Sequence, residues 1–219
     1  MTTSTPEPAP PDAPSQTELA AHVAKLAGRL QHGAITNLAG PVADLARLRR
    51  SLDAAAGSDP VVWRIIFAGF PEQPDEPLPS RGEYAAYLSV CLFAIHQQSK
   101  NTQMHGGGRT HCLGRAIRQL AQSGTDAEPD GAIVKRFNAV VTADDFNEVI
   151  HHLRSLVGLL RVSSIPLDYG LLADDLYQWQ LSSKRSGVRL RWSRDFSRVP
   201  RVPKTGLNTD SPDPDSTND

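Results

Sequence analysis

The stretch RGEYAAYLSVCLFAIHQQ, residues 81–98, decides the fold, because it is apolar on most sides when it is drawn as a helix. Large side chains recur along it at positions that surround the helix axis: Tyr84, Tyr87, Leu88, Cys91, Leu92 and Ile95. A helix that is apolar all round is usually buried. We therefore predict that residues 81–98 form the central helix and that other helices pack around it.

Helical spacing of apolar residues continues on both sides of this segment. Upstream it predicts three helices: one from Ser15 to Gly33, one from Pro41 to Gly57, and one from Pro60 that stops before Pro71. Downstream it predicts four more, which are a helix over 110–122, one that contains Ile133 and Val141, one over 143–161, and one opened by Pro166. The only short alternation of the strand type is VRLRW at 188–192. The predicted fold class is all-α.

The break SGTDAEPDG at 123–131 suggests two small helical bundles. We predict an N-terminal bundle over 15–125 and a C-terminal bundle with a basic terminal segment over 126–204. Residues 1–14 and 205–219 are rich in Pro, Ser, Thr and Asp and carry few large apolar residues. Such compositions do not bury enough surface to offset the entropy of ordering, so we predict disordered tails.

Charge is distributed unevenly along the chain. The net charge is −1, but both tails are acidic and contain no base, so residues 15–204 hold 23 basic and 18 acidic side chains. Within that part, residues 81–125 hold five bases and one acid, and residues 181–204 hold eight bases and one acid. The acidic residues concentrate between these two blocks. Two basic blocks of this kind favour a polyanionic partner.

The first basic block is centred on HQQSKNTQMHGGGRTHCLGRAIR, residues 96–118, which contains no acid. We predict a flexible loop that leads into a helix from Thr110, with Lys100 and Arg109 on the loop and Arg115 and Arg118 on the exposed helix face. This surface is suited to phosphate contact. The alternative is an ordinary solvated helix face.

The second basic block, KRSGVRLRWSRDFSRVPRVPK at 184–204, alternates arginines with Trp192 and Phe196. Basic and aromatic side chains together are typical of proteins that bind single-stranded nucleic acid by backbone contact and stacking. The alternative is a docked segment whose aromatic rings are core and whose arginines are solvated or paired with the acidic unit.

Motifs for catalysis are incomplete. HGGG at 105–108 resembles the oxyanion loop of lipase-like esterases, but the sequence has no Gly-x-Ser for a nucleophile elbow. The same glycines do not make a P-loop, because Thr110-His111 stands where Lys-Ser/Thr is needed. A small hydrolase built around His105 is the remaining enzyme hypothesis. We expect no catalytic residues and no cofactor.

Metal-binding patterns are also weak. His96, His105, His111 and Cys112 have no familiar zinc spacing. The pairs Asp144-Asp145 and Asp174-Asp175 are interpreted as acids that stabilise helix starts rather than as ligands for a nuclease metal. We expect no metal.

Cellular context follows from the two cysteines and the apolar runs. Cys91 and Cys112 do not make a disulfide framework, and Cys91 has the position of a buried small hydrophobe. The first residues lack the features of a signal peptide, and no apolar run is long enough to span a bilayer. We expect a cytoplasmic protein without membrane contact.

Five segments in order carry a family resemblance: ADLARLRR (43–50), VVWRIIFAG (61–69), HGGGRTHCLGRAIRQL (105–120), LDYGLLADDLYQWQ (167–180) and VRLRWSRDF (188–196). Together they resemble the small subunit, or CasB, of the type I-E CRISPR surveillance complex Cascade. The resemblance covers about residues 19–196 and leaves out both tails.

This resemblance implies an all-α fold of two bundles with no enzymatic activity and no cofactor. It implies partners: two copies of the subunit side by side, the backbone filament and large subunit of Cascade, the guide crRNA and the target DNA. Basic surfaces would then follow the guide–target duplex and hold the displaced strand during R-loop formation. Base pairing reads the sequence in such complexes, so the protein would touch nucleic-acid backbone. The alternative is a purely architectural subunit without nucleic-acid contact.

Candidate nucleic-acid-binding residues come from the matching segments and their basic surroundings. They are Lys100, Arg109, Arg115, Arg118, Arg49, Arg50, Lys135, Arg136, Lys184, Arg185, Arg189 and Arg191. Arg49 has an alternative partner in Asp53, four residues further along a helix. The aromatic residues Trp63, Trp179, Trp192 and Phe196 are assigned to packing.

Overall fold

A computed structural model describes residues 17–70, 78–123 and 129–198. Within these ranges the chain is helical, with no strand, so the all-α prediction is confirmed. The helices are α1 Glu18–Ile35, α2 Ala39–Ser51, α3 Pro60–Phe67, α4 Arg81–Gln97, α5 Leu113–Ala121, α6 Gly131–Thr142, α7 Phe146–Val162, α8 Tyr169–Trp179 and α9 Ser182–Ser197. A single 3-10 turn, Arg109–His111, precedes α5. None of these helices is both long and apolar enough to cross a membrane.

The central helix is α4, as the sequence predicts. All residues from Ala85 to Ala94 are buried. Its start is fixed by a capping box, in which the Ser80 hydroxyl accepts from the Glu83 N–H and the Glu83 carboxylate accepts from the Ser80 N–H. Helices α1, α2, α3, α7 and α8 all contact α4. A helix with so many neighbours needs apolar side chains on every face, which explains its composition.

The starts of α7 and α8 are each fixed by an aspartate cap. Asp145 caps α7 by accepting from the Asn147 N–H at 2.8 Å, which confirms the role at a helix start predicted for this residue. Asp144, predicted together with it, precedes the cap and pairs with Arg189 instead. Asp168 caps α8 by accepting from the Leu171 N–H at 3.0 Å, so α8 begins at Tyr169 instead of at Pro166. The capping role predicted for Asp174-Asp175 is wrong, because both lie inside α8.

Two helix limits were also predicted wrongly. Helix α1 continues through Gly33 to Ile35, because Gly33 is the place where α2 approaches α1. A Cβ on Gly33 would lie 2.3 Å from Cγ of Pro41. Helix α2 ends at Ser51 instead of near Gly57, and the alternating VRLRW segment belongs to α9, where Val188 and Trp192 are buried at helical spacing.

Helices on both sides of the predicted break at 123–131 contact one another. Helix α8 packs on α1 and α4, and α7 packs on α4. The buried apolar residues of all these helices form one connected cluster. The division into bundles over 15–125 and 126–204 stays a prediction, and the two tails lie outside the described residues.

The glycine-rich loop is held at several points rather than free, which corrects the flexible loop predicted from its composition. The His105 N–H donates to Oε1 of Gln31 at 3.0 Å, and the Gln31 side chain donates back to the His105 carbonyl at 3.2 Å. The Gly108 N–H donates to the Asp168 carboxylate at 2.6 Å. The Asp168 N–H in turn donates to the His111 carbonyl at 2.8 Å. The loop therefore fixes the start of α8 and the approach to α5.

Candidate nucleic-acid interface

Helices α5 and α9 cross closely and carry arginines from both basic blocks. The crossing depends on Gly114, because a Cβ there would lie 2.4 Å from the Trp192 carbonyl oxygen and 2.7 Å from the Phe196 nitrogen. Helix α5 begins at Leu113, not at Thr110, and Cys112 stands at its cap position. Arg109 therefore precedes the helix, where its Nη2 contacts the buried Asp195 carboxylate at 2.7 and 3.0 Å.

Several predicted contact residues of the second basic block are engaged inside the molecule. Arg191 contacts the buried Asp175 carboxylate, with Nε 3.0 Å from Oδ1. Burial raises the pKa of Asp175, and the charge of Arg191 opposes that rise. Arg189 donates to the Ala143 carbonyl at the end of α6 and pairs with Asp144. Arg185 lies over the Trp179 ring, 4.1 Å from its centroid. These side chains hold α9 in place.

The aromatic residues of this block are core residues, so the docked alternative is confirmed for them. Trp192 is buried, and its indole N–H donates to Asp175 Oδ2 at 2.5 Å. Phe196 stacks on Phe137, with 4.6 Å between the ring centroids. Trp179 is also buried, and Trp63 packs on Phe67. The packing role assigned to these four aromatic residues is therefore confirmed.

A basic cleft opens beside α5. We name it the α5 cleft, and it is lined by Thr110, Arg115, Arg118, Gln119, Gln122, Ser123, Ser163, Ile165 and Arg198. Arg118 is anchored, because its Nη1 donates to the Phe196 carbonyl at 2.9 Å. The guanidinium groups of Arg115 and Arg198 have no partner within the described residues. Among the described residues the lining includes three arginines and no acid, so it attracts anions.

A second group of cations comes from α2, from α7 and from the residues that follow α4. Burial, followed by the charges of Arg50 and Arg161, lowers the pKa of Arg49. Arg49 also shares a cleft with Lys100, which follows α4. The predicted alternative partner of Arg49 is wrong, because Asp53 pairs with Arg154 of α7 instead. Like charges brought together without an acid cost free energy, and a bound anion would relieve that cost.

The two groups are connected through the turn that follows α7. Lys100 Nζ donates to Ser164 Oγ at 2.8 Å. The preceding residue, Ser163, lines the α5 cleft. The connection gives one surface, which we name the basic track and define as Arg49, Arg50, Lys100, Arg161, Arg115, Arg118 and Arg198.

Sequence reasoning missed two members of the basic track. Arg161 is in the last turn of α7, where a basic residue is explained by the helix dipole alone. Its buried Nε has no hydrogen-bond partner within the described residues. Arg198 follows α9 directly and lies in the block of basic residues that the sequence already showed. The basic block at 184–204 could therefore have indicated Arg198, whereas no pattern in the sequence indicated Arg161.

The remaining predicted residues are separate from the basic track. Lys135 and Arg136 are exposed on α6, and Lys184 is exposed at the start of α9. His105, the centre of the hydrolase hypothesis, is buried, and its Nδ1 accepts from the Tyr169 N–H at 3.3 Å. The described residues contain no group of three or more His, Cys, Asp or Glu side chains arranged to hold a metal ion.

His96 lies buried beneath the cations of the basic track. Its Nδ1 is 2.9 Å from the Tyr169 hydroxyl. Burial lowers the pKa of His96 to about 4, and the charges of Lys100 and Arg161 contribute in the same direction. The ring is therefore neutral in the folded protein at neutral pH.

Stability is expected to fall as the pH is lowered from about 6.5 to 4. The unfolded chain takes up a proton on His96 near pH 6.5, while the folded chain does so only near its lowered pKa of about 4. The free energy of unfolding should lose up to about 3 kcal/mol over this window from His96 alone. Urea unfolding of a His96→Asn variant should show a correspondingly shallower pH dependence, whereas His151→Asn, at an exposed position of α7, should keep the native one. An unchanged slope in His96→Asn would contradict this account.

Comparison with known proteins identifies the family. The model of the CRISPR-associated protein Cse2 family matches residues 44–196. The crystal structure of CasB from Thermobifida fusca is 36% identical, with a TM-score of 0.68, over 83% of this chain and 99% of that one. A Cse2-family CRISPR-associated protein from Thermus thermophilus is 26% identical, with a TM-score of 0.58, over 81% of this chain and 96% of that one.

A third solved structure, CasB from M. ruber, is 27% identical, with a TM-score of 0.55, over 70% of this chain and 83% of that one. No curated protein sequence matches significantly. The family match spans α2 to α9 and therefore contains most of the basic track. The chain thus belongs to the Cse2, or CasB, family of CRISPR-associated proteins, the small subunits of type I-E Cascade.

Proposed function

We propose that this subunit binds nucleic-acid backbone within Cascade and stabilises the guide RNA–target DNA R-loop and the displaced strand, without catalysis. One observation carries the proposal: the basic track joins seven cations, and the described residues that line its two clefts include no acid. Arginine and lysine on such a surface bind successive phosphates irrespective of sequence. The partners are crRNA, target DNA, a second copy of the subunit, and the backbone filament and large subunits of Cascade in the cytoplasm.

The predicted contact residues divide into two groups under this proposal. Lys100, Arg49, Arg50 and Arg115 lie on the basic track and have no acid partner within the described part of the chain. Arg109, Arg185, Arg189 and Arg191 hold the fold together, and any phosphate contact they make uses their remaining donors. We propose that the first group provides most of the binding. Lys135, Arg136 and Lys184 would bind a more distant part of the nucleic acid or a partner protein.

A purely architectural role is the second candidate. It is favoured by the internal contacts of Arg109, Arg185, Arg189 and Arg191, because arginines engaged in this way are not needed for nucleic acid. In that role the basic track would dock on acidic protein surfaces of neighbouring subunits.

Salt dependence of binding by the isolated subunit tests the proposed function. A fluorescent single-stranded oligonucleotide should bind with an affinity that falls steeply as salt rises. About four neutralised phosphates would give a slope near −3 in a plot of log affinity against log salt. Oligonucleotides of different sequence and equal length should bind alike. A slope close to zero would contradict backbone binding and favour the architectural role.

A further inference from the structure

We infer that the acidic segment 205–219 binds the basic clefts beside α9 in the absence of nucleic acid and competes with nucleic-acid phosphates for them. The inference rests on the proposed function, since it names a regulator of the same surface. It makes the subunit's affinity for nucleic acid depend on whether its own carboxylates are displaced. Nucleic acid, whose phosphates are closely spaced, would displace these carboxylates from the clefts. Anions of lower charge density would not.

Charge complementarity is the first support. The segment TGLNTDSPDPDSTND contains Asp210, Asp213, Asp215 and Asp219 and no basic residue. A second cleft, which we name the α9 cleft, is lined by four arginines, with Gly187, Leu190 and Asp195 completing its wall. Asp195 is already paired with Arg109, and Arg191 is paired with Asp175. The guanidinium groups of Arg194 and Arg198 are therefore left without an acid partner among the described residues. Clefts lined by one sign of charge raise the local concentration of the opposite sign.

The position of the segment is the second support. Helix α9 ends at Ser197, and the next residue, Arg198, lines both the α5 cleft and the α9 cleft. Asp210 lies twelve residues beyond Arg198. That length spans at most about 40 Å when fully extended, so every part of either cleft is within reach. The chain thus emerges at the junction of the two surfaces that its own carboxylates complement.

Tethering is the third support. A ligand that is joined to its site by a short linker has an effective concentration in the millimolar range. Individually weak carboxylate–guanidinium contacts then suffice to occupy the site. DNA can bind only to clefts from which these carboxylates have been displaced. The apparent affinity for DNA therefore falls in proportion to the fraction of clefts that is free.

The inference is tested with full-length chains that differ only in the segment. The first variant replaces Asp210, Asp213, Asp215 and Asp219 with asparagine. Its matched control replaces the uncharged residues Thr209, Ser211, Ser216 and Thr217 with alanine. At about 50 mM salt the asparagine variant should bind a single-stranded oligonucleotide roughly tenfold more tightly than the native chain, with the gain vanishing near 0.5 M salt. The alanine control should bind like the native chain. Equal affinity of all three chains would overturn the inference and leave the proposed function standing.

A second readout needs no nucleic acid. The Nε–Hε resonances of Arg194 and Arg198 in NMR spectra should differ between the native chain and the asparagine variant, while that of Arg136 on α6 stays unchanged. Absence of any difference at Arg194 and Arg198 would overturn the inference. If neither chain binds DNA at any salt concentration, the proposed function fails, and these resonances still decide whether the acidic segment occupies the clefts. A resonance difference that appears only at high protein concentration would assign the carboxylates to a second copy and would overturn the intramolecular form.

Discussion

Replacing Gly114 with alanine is expected to lower the free energy of unfolding by about 3 kcal/mol, the upper end of what overpacking costs. The added Cβ would lie 2.4 Å from the Trp192 carbonyl oxygen and 2.8 Å from Cβ of Asp195. The atoms nearest to it include backbone atoms of α9, which cannot rotate away as a flexible side chain would. Helices α5 and α9 would have to separate, and the ion pair between Arg109 and the buried Asp195 carboxylate would be disturbed with them.

The matched control for this variant is Gly158→Ala in α7, where nothing lies within 4 Å of an added Cβ. That substitution should raise stability by roughly 0.5–1 kcal/mol, because alanine is the better helix former. Urea unfolding followed by circular dichroism measures both changes. Equal unfolding midpoints for the two variants would show that the α5–α9 crossing does not depend on Gly114.

Removing three charges from the basic track should have the largest effect on binding. The variant Arg49→Gln, Lys100→Gln, Arg161→Gln is expected to lose roughly 30- to 100-fold in affinity for single-stranded DNA near 0.1 M salt, and its salt slope should become shallower by about 2. Each substitution removes one cation of a group that has no acid among its described neighbours. Fluorescence anisotropy titrations at several salt concentrations measure both quantities.

The control for that variant removes the same number of positive charges elsewhere. Lys25, Arg29 and Arg64 are exposed on α1 and α3 and are not on the basic track. Their replacement with glutamine should change the affinity by less than about threefold, since exposed charges beyond a Debye length are largely screened. Similar losses in the two triple variants would mean that net charge, rather than the basic track, determines binding.

The fold could be predicted from the sequence where local patterns determine structure. The apolar periphery of α4 and the aspartate before α7 were sufficient to place those elements. Gly33 was mistaken for a helix end, because its function is to admit Pro41 from another helix. Asp174 and Asp175 were mistaken for caps, because the partners of Asp175 are on α9 and that of Asp174 is Thr17. These errors share one cause, which is that the deciding contact is distant in sequence.

The candidate site shows the same limit. Sequence identified Lys100, Arg115 and Arg118 through one uninterrupted basic stretch. The sequence could not show which arginines form ion pairs with buried carboxylates, because Arg109 and its partner Asp195 are 86 residues apart. Arg161 was missed, because nothing in its own helix distinguishes it from an ordinary C-terminal arginine. Charge runs predict that a surface is basic, and only the packing of helices shows which of its charges remain available.

The most direct test of the central claim uses the assembled complex. Cascade is purified with the triple variant Arg49→Gln, Lys100→Gln, Arg161→Gln in place of the native subunit, and the lifetime of its R-loop on target DNA is measured, with permanganate reactivity reporting the displaced strand. We predict that the complex assembles with normal composition but releases the opened DNA at least roughly tenfold faster, because contacts to the backbone have been lost. A normal R-loop lifetime, or a complex that no longer retains the variant subunit, would contradict the account.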